Sequence, residues 1–169
     1  MRILAGRFKG QRIITKKNLS YRPTKSIVRK SIFDLLNPFD FSVVLDLFSG
    51  SGILGFESAS RGADYVVFVE KNSKTMGLIR KNSYNKNHHT DFSYYRGDAF
   101  KFLKSCENFD LIFADPPYEN DYLENLIDSC LNKLNKKGKF ILETTTNLTF
   151  GAGVRQIKFG DSQINIWKN

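Results

Sequence analysis

The sequence predicts an α/β fold, in which a mostly parallel β-sheet carries helices on both faces. Two observations support it. From residue 43 onward, short apolar segments alternate with glycine-containing turns and amphipathic segments, which is the order of strand, turn and helix. The 169 residues, 41% of them apolar and 25% charged, also have the length and composition of a globular domain.

The elements follow from the apolar periodicity and the turn residues. Strands are predicted at 43–47, 65–69, 92–96 and 109–114, with a fifth beginning at 140 and a closing hairpin of 154–159 and 163–167. Helices are predicted from an N-cap at Thr24 to Asn37-Pro38, from the glycine turn to Arg61 with a stop at Gly62, from an N-cap at Ser73 to about Tyr84, and from Tyr122 to Leu134 before Gly138. Arg2 to Thr15 alternates loosely around Gly6 and Gly10, which predicts a β-hairpin.

Positive charge is concentrated at the beginning of the chain. The net charge is +9, yet residues 1–30 alone hold ten basic residues and no acidic one. This asymmetry indicates a surface for a polyanion attached to a neutral body. A solvated face is the alternative. We therefore predict two units, a basic hairpin and helix over 1–37 and a main domain over 38–169.

Several classes of protein and site do not fit the sequence. No apolar run approaches the roughly 18 residues that span a bilayer, and the first ten residues do not resemble a secretory signal. Cys106 and Cys130 match neither a zinc pattern nor a disulfide framework. His88 and His89 have no third ligand nearby in the sequence. We expect a reduced, cytoplasmic protein without a metal.

Four acidic residues fall within or just past the ends of four successive predicted strands. They are Asp46, Glu70, Asp98 and Asp115. Because ligands of open α/β sheets bind outside the carboxyl ends of the strands, these acids are expected at one binding edge.

The glycine turn after the first strand indicates a nucleotide-like ligand. Gly50 to Gly55 matches the pattern G-x-G-x-x-G, and Glu70 follows twenty residues after Gly50, where it can accept hydrogen bonds from ribose hydroxyls. That arrangement suits NAD and S-adenosylmethionine equally. Asp46 favours the second, since a carboxylate is unfavourable beside a pyrophosphate but favourable beside a sulfonium and an ammonium.

The tetrapeptide from Asp115 to Tyr118 predicts transfer to an amino group. Pro116 and Pro117 stiffen the backbone, so the Asp115 side chain and the Pro116 carbonyl become two fixed acceptors. They can hold both hydrogens of a nucleobase amino group in line with a methyl donor. The Asp115 carboxylate stabilises the positive charge that develops on the nitrogen. Tyr118 offers a ring on which an unstacked base can lie.

These motifs together resemble the RsmD-like family of 16S rRNA (guanine-N2) methyltransferases. The resemblance covers essentially the whole chain. It is carried by residues 1–10, Arg22-Pro23-Thr24, Val28-Arg29, Ile32-Phe33, 45–52, 61–63, 68–72, 115–118 and 159–163. It implies the Rossmann-like fold of class I S-adenosylmethionine-dependent methyltransferases, with a mostly parallel seven-stranded sheet. It also implies transfer of a methyl group to N2 of a guanine in small-subunit rRNA, with S-adenosylmethionine as donor and no metal.

The resemblance assigns roles to the matching residues. Asp46, Gly50 and Gly52 would line the methionine end of the cofactor, Glu70 its ribose and Asp98 its adenine, while Asp115, Pro116, Pro117 and Tyr118 would form the catalytic tetrapeptide that holds the guanine. The candidates for phosphate contacts are Arg2, Arg7, Lys9, Arg12, Arg22 and Arg29. The expected partner is 16S rRNA, within the small ribosomal subunit, with no membrane and no protein partner predicted.

Two alternatives remain open at this point. One keeps the chemistry but directs it to an adenine-N6 or cytosine-N4 amino group in DNA or RNA. The other is an RNA-binding ribosome assembly factor without catalytic activity. NAD-dependent redox chemistry is disfavoured, because no proton-transfer residue stands out beside the glycine turn.

Overall fold

A seven-stranded sheet forms the centre of the molecule, as predicted. The structure is a computed structural model that describes residues 1–15, 25–84, 89–117, 122–146 and 148–169. In chain order the elements are α1 (Ser26–Leu35), β1 (Val43–Leu47), α2 (Ile53–Arg61), β2 (Tyr65–Glu70), α3 (Ser73–Ser83), β3 (Asp91–Arg96), α4 (Ala99–Ser105), β4 (Phe109–Ala114), α5 (Leu123–Leu131), β5 (Leu134–Thr145), β6 (Arg155–Phe159) and β7 (Ser162–Lys168).

The strand order places the carboxyl ends of five parallel strands at one edge. The order across the sheet is β3-β2-β1-β4-β5-β7-β6. β1 to β5 are parallel to their neighbours, and the closing hairpin joins β5 through β7 in the antiparallel sense. The order reverses at β1, where the connection after β3 crosses to β4. Ligands are expected at this switch point.

The two faces of the sheet have separate apolar cores. The segment 1–15 packs with α1, α2 and α3 on one face, around Phe33, Phe56, Phe68 and Phe113. α4 and α5 cover the other face, and the fully buried Cys130 packs there, as its position on an apolar helix face predicts. Helices on both faces explain why the central strands β1, β2 and β4 are mostly apolar.

Three features differ from the sequence predictions by more than one residue: an additional helix, the end of the fifth helix and the start of the fifth strand. α4 was not expected at all, because seven residues are too few for a clear helical period. The fifth helix ends at Leu131, and β5 begins at Leu134, six residues before the predicted strand. Leu134 pairs with Phe109 across a register shift. Asn135 to Gly138 lie in this register shift, where Lys137 has a positive φ of 67°, and regular pairing resumes at Lys139.

The caps of α1 and α3 also differ from the predictions. α1 has Lys25 at its N-cap position without a side-chain hydrogen bond, and the predicted cap Thr24 lies outside the described residues. The N-cap of α3 is Asn72, whose side chain accepts from the backbone N–H of Lys74 and Thr75.

The segment 1–15 folds back on itself with a single antiparallel bridge, between Arg2 and Arg12, instead of regular strands. Hairpin-like hydrogen bonds still form, because the Ile3 N–H donates to the Gln11 carbonyl and the Ile13 N–H donates to the Met1 carbonyl. Ile3, Phe8 and Ile13 are buried in the core that α2 and α3 share with the sheet. The division into two units at residue 37 stays a prediction. The sequence analysis did not predict that residues 1–15 pack into the core beside the sheet.

Polar side chains of α2 and α3 hold the backbone of the segment. The carboxylate of Glu57, which is fully buried, accepts from the N–H of Leu4 at 2.7 Å and of Ala5 at 3.0 Å. Ser60 Oγ accepts from the Phe8 N–H at 2.8 Å and donates to the Ala5 carbonyl at 2.5 Å. We call Glu57, Ser60 and Asn82 the clamp.

Asn82 completes the clamp from α3. Its side-chain oxygen accepts from the Ile14 N–H at 2.8 Å, and its amide donates to the Ile14 carbonyl at 3.0 Å. The clamp satisfies backbone groups that an isolated two-stranded hairpin would leave to water, so it ties the basic segment to α2 and α3.

Candidate active site

The loop between β1 and α2 turns sharply toward the carboxyl edge of the sheet. Phe48, Gly50 and Gly52 all have positive φ, at 59°, 51° and 73°. Ser49 secures the turn, because its hydroxyl donates to the Asp46 carbonyl at 2.6 Å and its N–H donates to the Val69 carbonyl. A phenylalanine in this left-handed region is strained. The loop is therefore held in one shape before any ligand binds.

Packing explains two of its glycines. A Cβ on Gly52 would lie 3.0 Å from Phe56 Cε2 and 3.1 Å from Phe68 Cε1. A Cβ on Gly55 would lie 2.4 Å from Phe68 Cε1. Close approach of α2 to β2 thus requires these glycines, in addition to the ligand approach inferred from the sequence pattern.

Gly55→Ala is expected to destabilise the protein by about 1–3 kcal/mol, since the added methyl group overpacks the α2–β2 contact. Gly77→Ala in α3 is the matched control, because no atom lies within 4 Å of the position of its Cβ. That change is expected to stabilise the protein by about 0.5–1 kcal/mol through helix propensity. Urea unfolding measures both, and equal effects would contradict the packing argument.

Asp46 lies inside the sheet beneath the glycine loop. The residue is 3% exposed, and its Oδ2 accepts from the Gly55 N–H at 3.0 Å. Burial raises the pKa of Asp46 to about 8, and the nearby Glu70 and Asp115 add to the rise against the Gly55 hydrogen bond. Glu70 and Asp115 therefore concentrate negative potential where β2 and β4 end, next to the protonated Asp46, and this suits a cationic ligand group.

The stability of the protein is expected to fall as the pH rises from about 4 to 8. Asp46 keeps its proton in the folded state up to about pH 8 but loses it near its ordinary value when unfolded. The unfolded state therefore binds fewer protons in this range, at a cost of up to about 1.4 kcal/mol per pH unit, and the loss levels off above pH 8. Urea unfolding of wild type and Asp46→Asn at pH 5, 7 and 8 measures it. Parallel profiles of the two proteins would contradict it.

Glu70 joins the end of β2 to the glycine loop. Its Oε2 accepts from the Gly50 N–H at 3.0 Å, and its Oε1 accepts from the Asn72 N–H at 2.7 Å. The side chain is partly exposed. A carboxylate fixed in this way at the edge of the sheet has lone pairs left for a second set of donors, such as ribose hydroxyls.

Asp98 follows β3 and is the N-cap of α4. Its Oδ1 accepts from the Lys101 N–H at 3.0 Å. The sequence placed Asp98 at the edge of the sheet, and α4 adds a local reason for an acid at this position.

Asp115 follows β4, the strand next to β1. Asp115 is partly buried, Pro116 is buried and Pro117 is exposed. The Tyr122 hydroxyl donates to the Pro117 carbonyl at 2.7 Å, which ties the loop to the start of α5. Tyr118 lies outside the described residues. Asp115 is close enough to Asp46 to raise its pKa, so the two predicted halves of the site meet.

A small cleft of about 10 Å³, with room for roughly one water molecule, lies beside this loop. Its lining residues are Pro116, Pro117, Leu123, Glu143, Thr144, Thr145 and Leu148. Glu143 is the acidic residue that the sequence analysis missed. The signal was present, because the apolar run Phe140 to Leu142 ends on this glutamate just as the four earlier strands end on or near an acid.

The predicted basic surface is partly present in the described segment. Arg2, Arg7, Lys9 and Arg12 are exposed, whereas Arg22 lies outside the described residues. Arg29 does not suit the phosphate contact predicted for it. It is 3% exposed, and its Nη1 donates to the Arg2 carbonyl at 3.1 Å. We therefore leave Arg29 out of the basic surface.

Two other predictions concern absences. In the described ranges no group of three or more His, Cys, Asp and Glu side chains could hold a metal ion. The helices within those same ranges include none long and apolar enough to cross a membrane.

This strand order, with a glycine loop at the switch point and acids along the carboxyl edge, defines the Rossmann-like fold of the class I S-adenosylmethionine-dependent methyltransferases. A solved structure titled as a putative methyltransferase from Escherichia coli is 25% identical, with a TM-score of 0.86 over 99% of this chain and 97% of its own. A hypothetical protein from Thermus thermophilus is 26% identical, with a TM-score of 0.87 over 100% of this chain and 99% of its own.

The chain belongs to the RsmD-like family. The family model described as "Conserved hypothetical protein 95" matches residues 1–167. A putative rRNA methyltransferase of Bacillus subtilis is 36% identical, covering 75% of this chain and 72% of the relative. A protein of Buchnera aphidicola named ribosomal RNA small subunit methyltransferase D is 34% identical, covering 82% of this chain and 74% of the relative.

Proposed function

We propose that this protein transfers a methyl group from S-adenosylmethionine to N2 of a guanine in 16S rRNA of the small ribosomal subunit, in the cytoplasm. The observation that carries the proposal is the meeting of two groups at one edge of the sheet. The acids around the glycine loop suit a cationic donor, and the loop from Asp115 to Pro117 provides acceptors for an amino group beside them. The names of the relatives support rRNA as the substrate.

The residues present fit the cofactor. Glu70 and Asp115 place negative potential at the switch point beside Asp46, which favours a ligand with a sulfonium and an ammonium group. The glycine loop would hold its methionine end, Glu70 the ribose and Asp98 the adenine. When bound, the cofactor supplies an electrophilic methyl group.

The chemistry left to the protein is positioning and charge stabilisation. The lone pair of a guanine amino group is conjugated with the ring, so the nitrogen is a weak nucleophile. The Asp115 carboxylate and the Pro116 carbonyl accept its two hydrogens and hold it in line with the methyl carbon. Asp115 would stabilise the positive charge that develops on N2 as it takes the methyl group from the donor. N2 then loses one proton, for which Asp115 is the nearest proposed acceptor.

Nucleoside analysis tests the function directly. Small-subunit rRNA from a deletion strain is digested and compared by mass spectrometry with wild type and with a complemented strain. We expect one N2-methylguanosine fewer in the deletion strain, restored by the purified protein and S-adenosylmethionine. An unchanged level contradicts the proposal. If the deletion strain instead lacks N6-methyladenine or N4-methylcytosine in its DNA or RNA, the alternative substrates are favoured. If the protein binds small subunits but transfers no methyl group to them, an assembly factor is favoured.

Replacing the exposed basic residues of the segment 1–15 by alanine is expected to weaken RNA binding and to reduce the salt dependence of the binding constant. Removing a phosphate contact made by Arg7, Lys9 or Arg12 lowers the slope of log K against log salt by about 0.7–0.9. Single alanine variants are preferable to deletion, since the buried Ile3, Phe8 and Ile13 belong to the core. Lys158→Ala, on the exposed face of β6 at the other edge of the sheet, is the control. Equal slopes in all variants would contradict the surface.

A further inference from the structure

Glu143 is a fifth acid at the carboxyl edge of the sheet, beside the catalytic loop. β5 runs parallel to β4 with Leu142 paired to Ala114, so the next residues, Glu143 and Asp115, are neighbours. Glu143 is 8% exposed and lines the cleft together with Pro116 and Pro117. The proposed function gives it no role.

The lining of this small cleft combines apolar surface with a polar edge. Leu123, Leu148 and Pro117 provide apolar surface, while Glu143 provides an acceptor within reach of the same loop. Apolar walls with few placed polar groups are typical of sites that select one small ring system.

A carboxylate at this position would favour guanine over adenine and cytosine, the other nucleobases with an exocyclic amino group. In guanine the ring N1–H is a donor next to the N2 amino group. In adenine and cytosine the ring nitrogen next to the amino group is an acceptor, which an ionised carboxylate repels. With Asp115 and Pro116 holding the amino hydrogens, a third acceptor beside them would face this ring nitrogen.

Resting on the proposed function, we infer that Glu143 is a specificity-determining residue that accepts a hydrogen bond from N1–H of the target guanine. Selectivity then arises from both attraction and repulsion. Guanine donates a hydrogen bond to the carboxylate, whereas a base with an acceptor at this position places two acceptors against each other.

The test uses the full-length protein and small subunits reassembled with rRNA that carries either guanine or 2-aminopurine at the mapped position. 2-Aminopurine keeps the 2-amino group but has an acceptor at N1 and no O6. We expect wild type to prefer guanine by about 100-fold in kcat/KM. Glu143→Gln, whose amide can donate to N1, is expected to reduce the preference below about tenfold. Glu124→Gln, an exposed acid of α5, is the matched control and keeps the wild-type ratio.

The outcomes separate the inference from the proposed function. A Glu143→Gln variant that slows both substrates equally shows a structural role and overturns the inference alone. If that variant does not fold, the wild-type ratio decides, since a ratio near one overturns the inference. A high ratio kept by Glu143→Asp, which retains the carboxylate, supports it. Absence of N2-methylguanosine with unmodified subunits and wild-type protein overturns the proposed function itself.

Discussion

Asp115→Ala is expected to reduce methyl transfer to small subunits by at least about 10³-fold while S-adenosylmethionine still binds. The substitution removes one of the two acceptors that orient the amino group and the charge that stabilises the developing cation, and both effects act on the transition state. The glycine loop, Glu70 and Asp98 remain in place, so the affinity for the cofactor is expected to fall far less than the rate of transfer, although one nearby negative charge is lost. Single-turnover transfer of a labelled methyl group measures the first effect, and calorimetry measures the second.

Asp115→Asn is the matched control for this substitution. The amide keeps an oxygen acceptor at the same place but carries no charge, so its loss of rate is expected to lie between wild type and Asp115→Ala. Loss of cofactor binding in a folded Asp115→Ala protein would assign this residue to the cofactor instead of the base. If Asp115→Ala still transferred the methyl group at the wild-type rate, the loop would have no part in the reaction.

Glu57→Ala is expected to lower the free energy of unfolding by about 3–5 kcal/mol. The fully buried carboxylate accepts from the N–H groups of Leu4 and Ala5 and pairs with Arg61 at 2.8 Å. Its removal leaves backbone donors and a largely buried guanidinium without their acceptor, which costs more than the net worth of the pair. The clamp also holds the basic segment, so RNA affinity is expected to fall with it. Urea unfolding and RNA titration measure the two effects.

The exposed pair of α1 gives a matched control for the clamp. Lys30 and Asp34 have the same i,i+4 spacing as Glu57 and Arg61, but their side chains are 70% and 59% exposed. Asp34→Ala is expected to change the stability by no more than about 0.5 kcal/mol, because water screens such pairs. A Glu57→Ala variant as stable as Asp34→Ala would mean that the clamp does not hold the segment.

The central sheet was predictable because its strands are defined locally. β1 and β4 match the predicted ranges, β2, β3 and β6 differ by one residue at one end, and β7 differs by one residue at each end. Each has an apolar run bounded by turn residues, which a short window of sequence contains. The short α4 and the early start of β5 were not predictable in this way, since the first lacks a period and the second depends on pairing with β4.

The residues of the candidate site were likewise predictable only where a local sequence pattern indicated them. Repetition of an acid at the ends of successive strands pointed to one edge of the sheet, and parallel pairing is sufficient to bring such residues together. The same rule would have found Glu143, had it been applied to the fifth strand. The burial of Arg29 could not be found from its charge, because a basic residue on a helix next to other basic residues gives no sign of which face is covered.

The sequence by itself determined the fold class and the family to which the chain belongs, and it predicted the edge of the sheet at which ligands are expected. These depend on the order of apolar runs, glycines and acids, which is a local property of the chain. Only the tertiary structure decided that residues 1–15 are held by the clamp, that Asp46 is buried with a raised pKa, and that Glu143 stands beside Asp115. Each depends on contacts between residues far apart in the chain, and burial and pairing exist only once those residues are packed together.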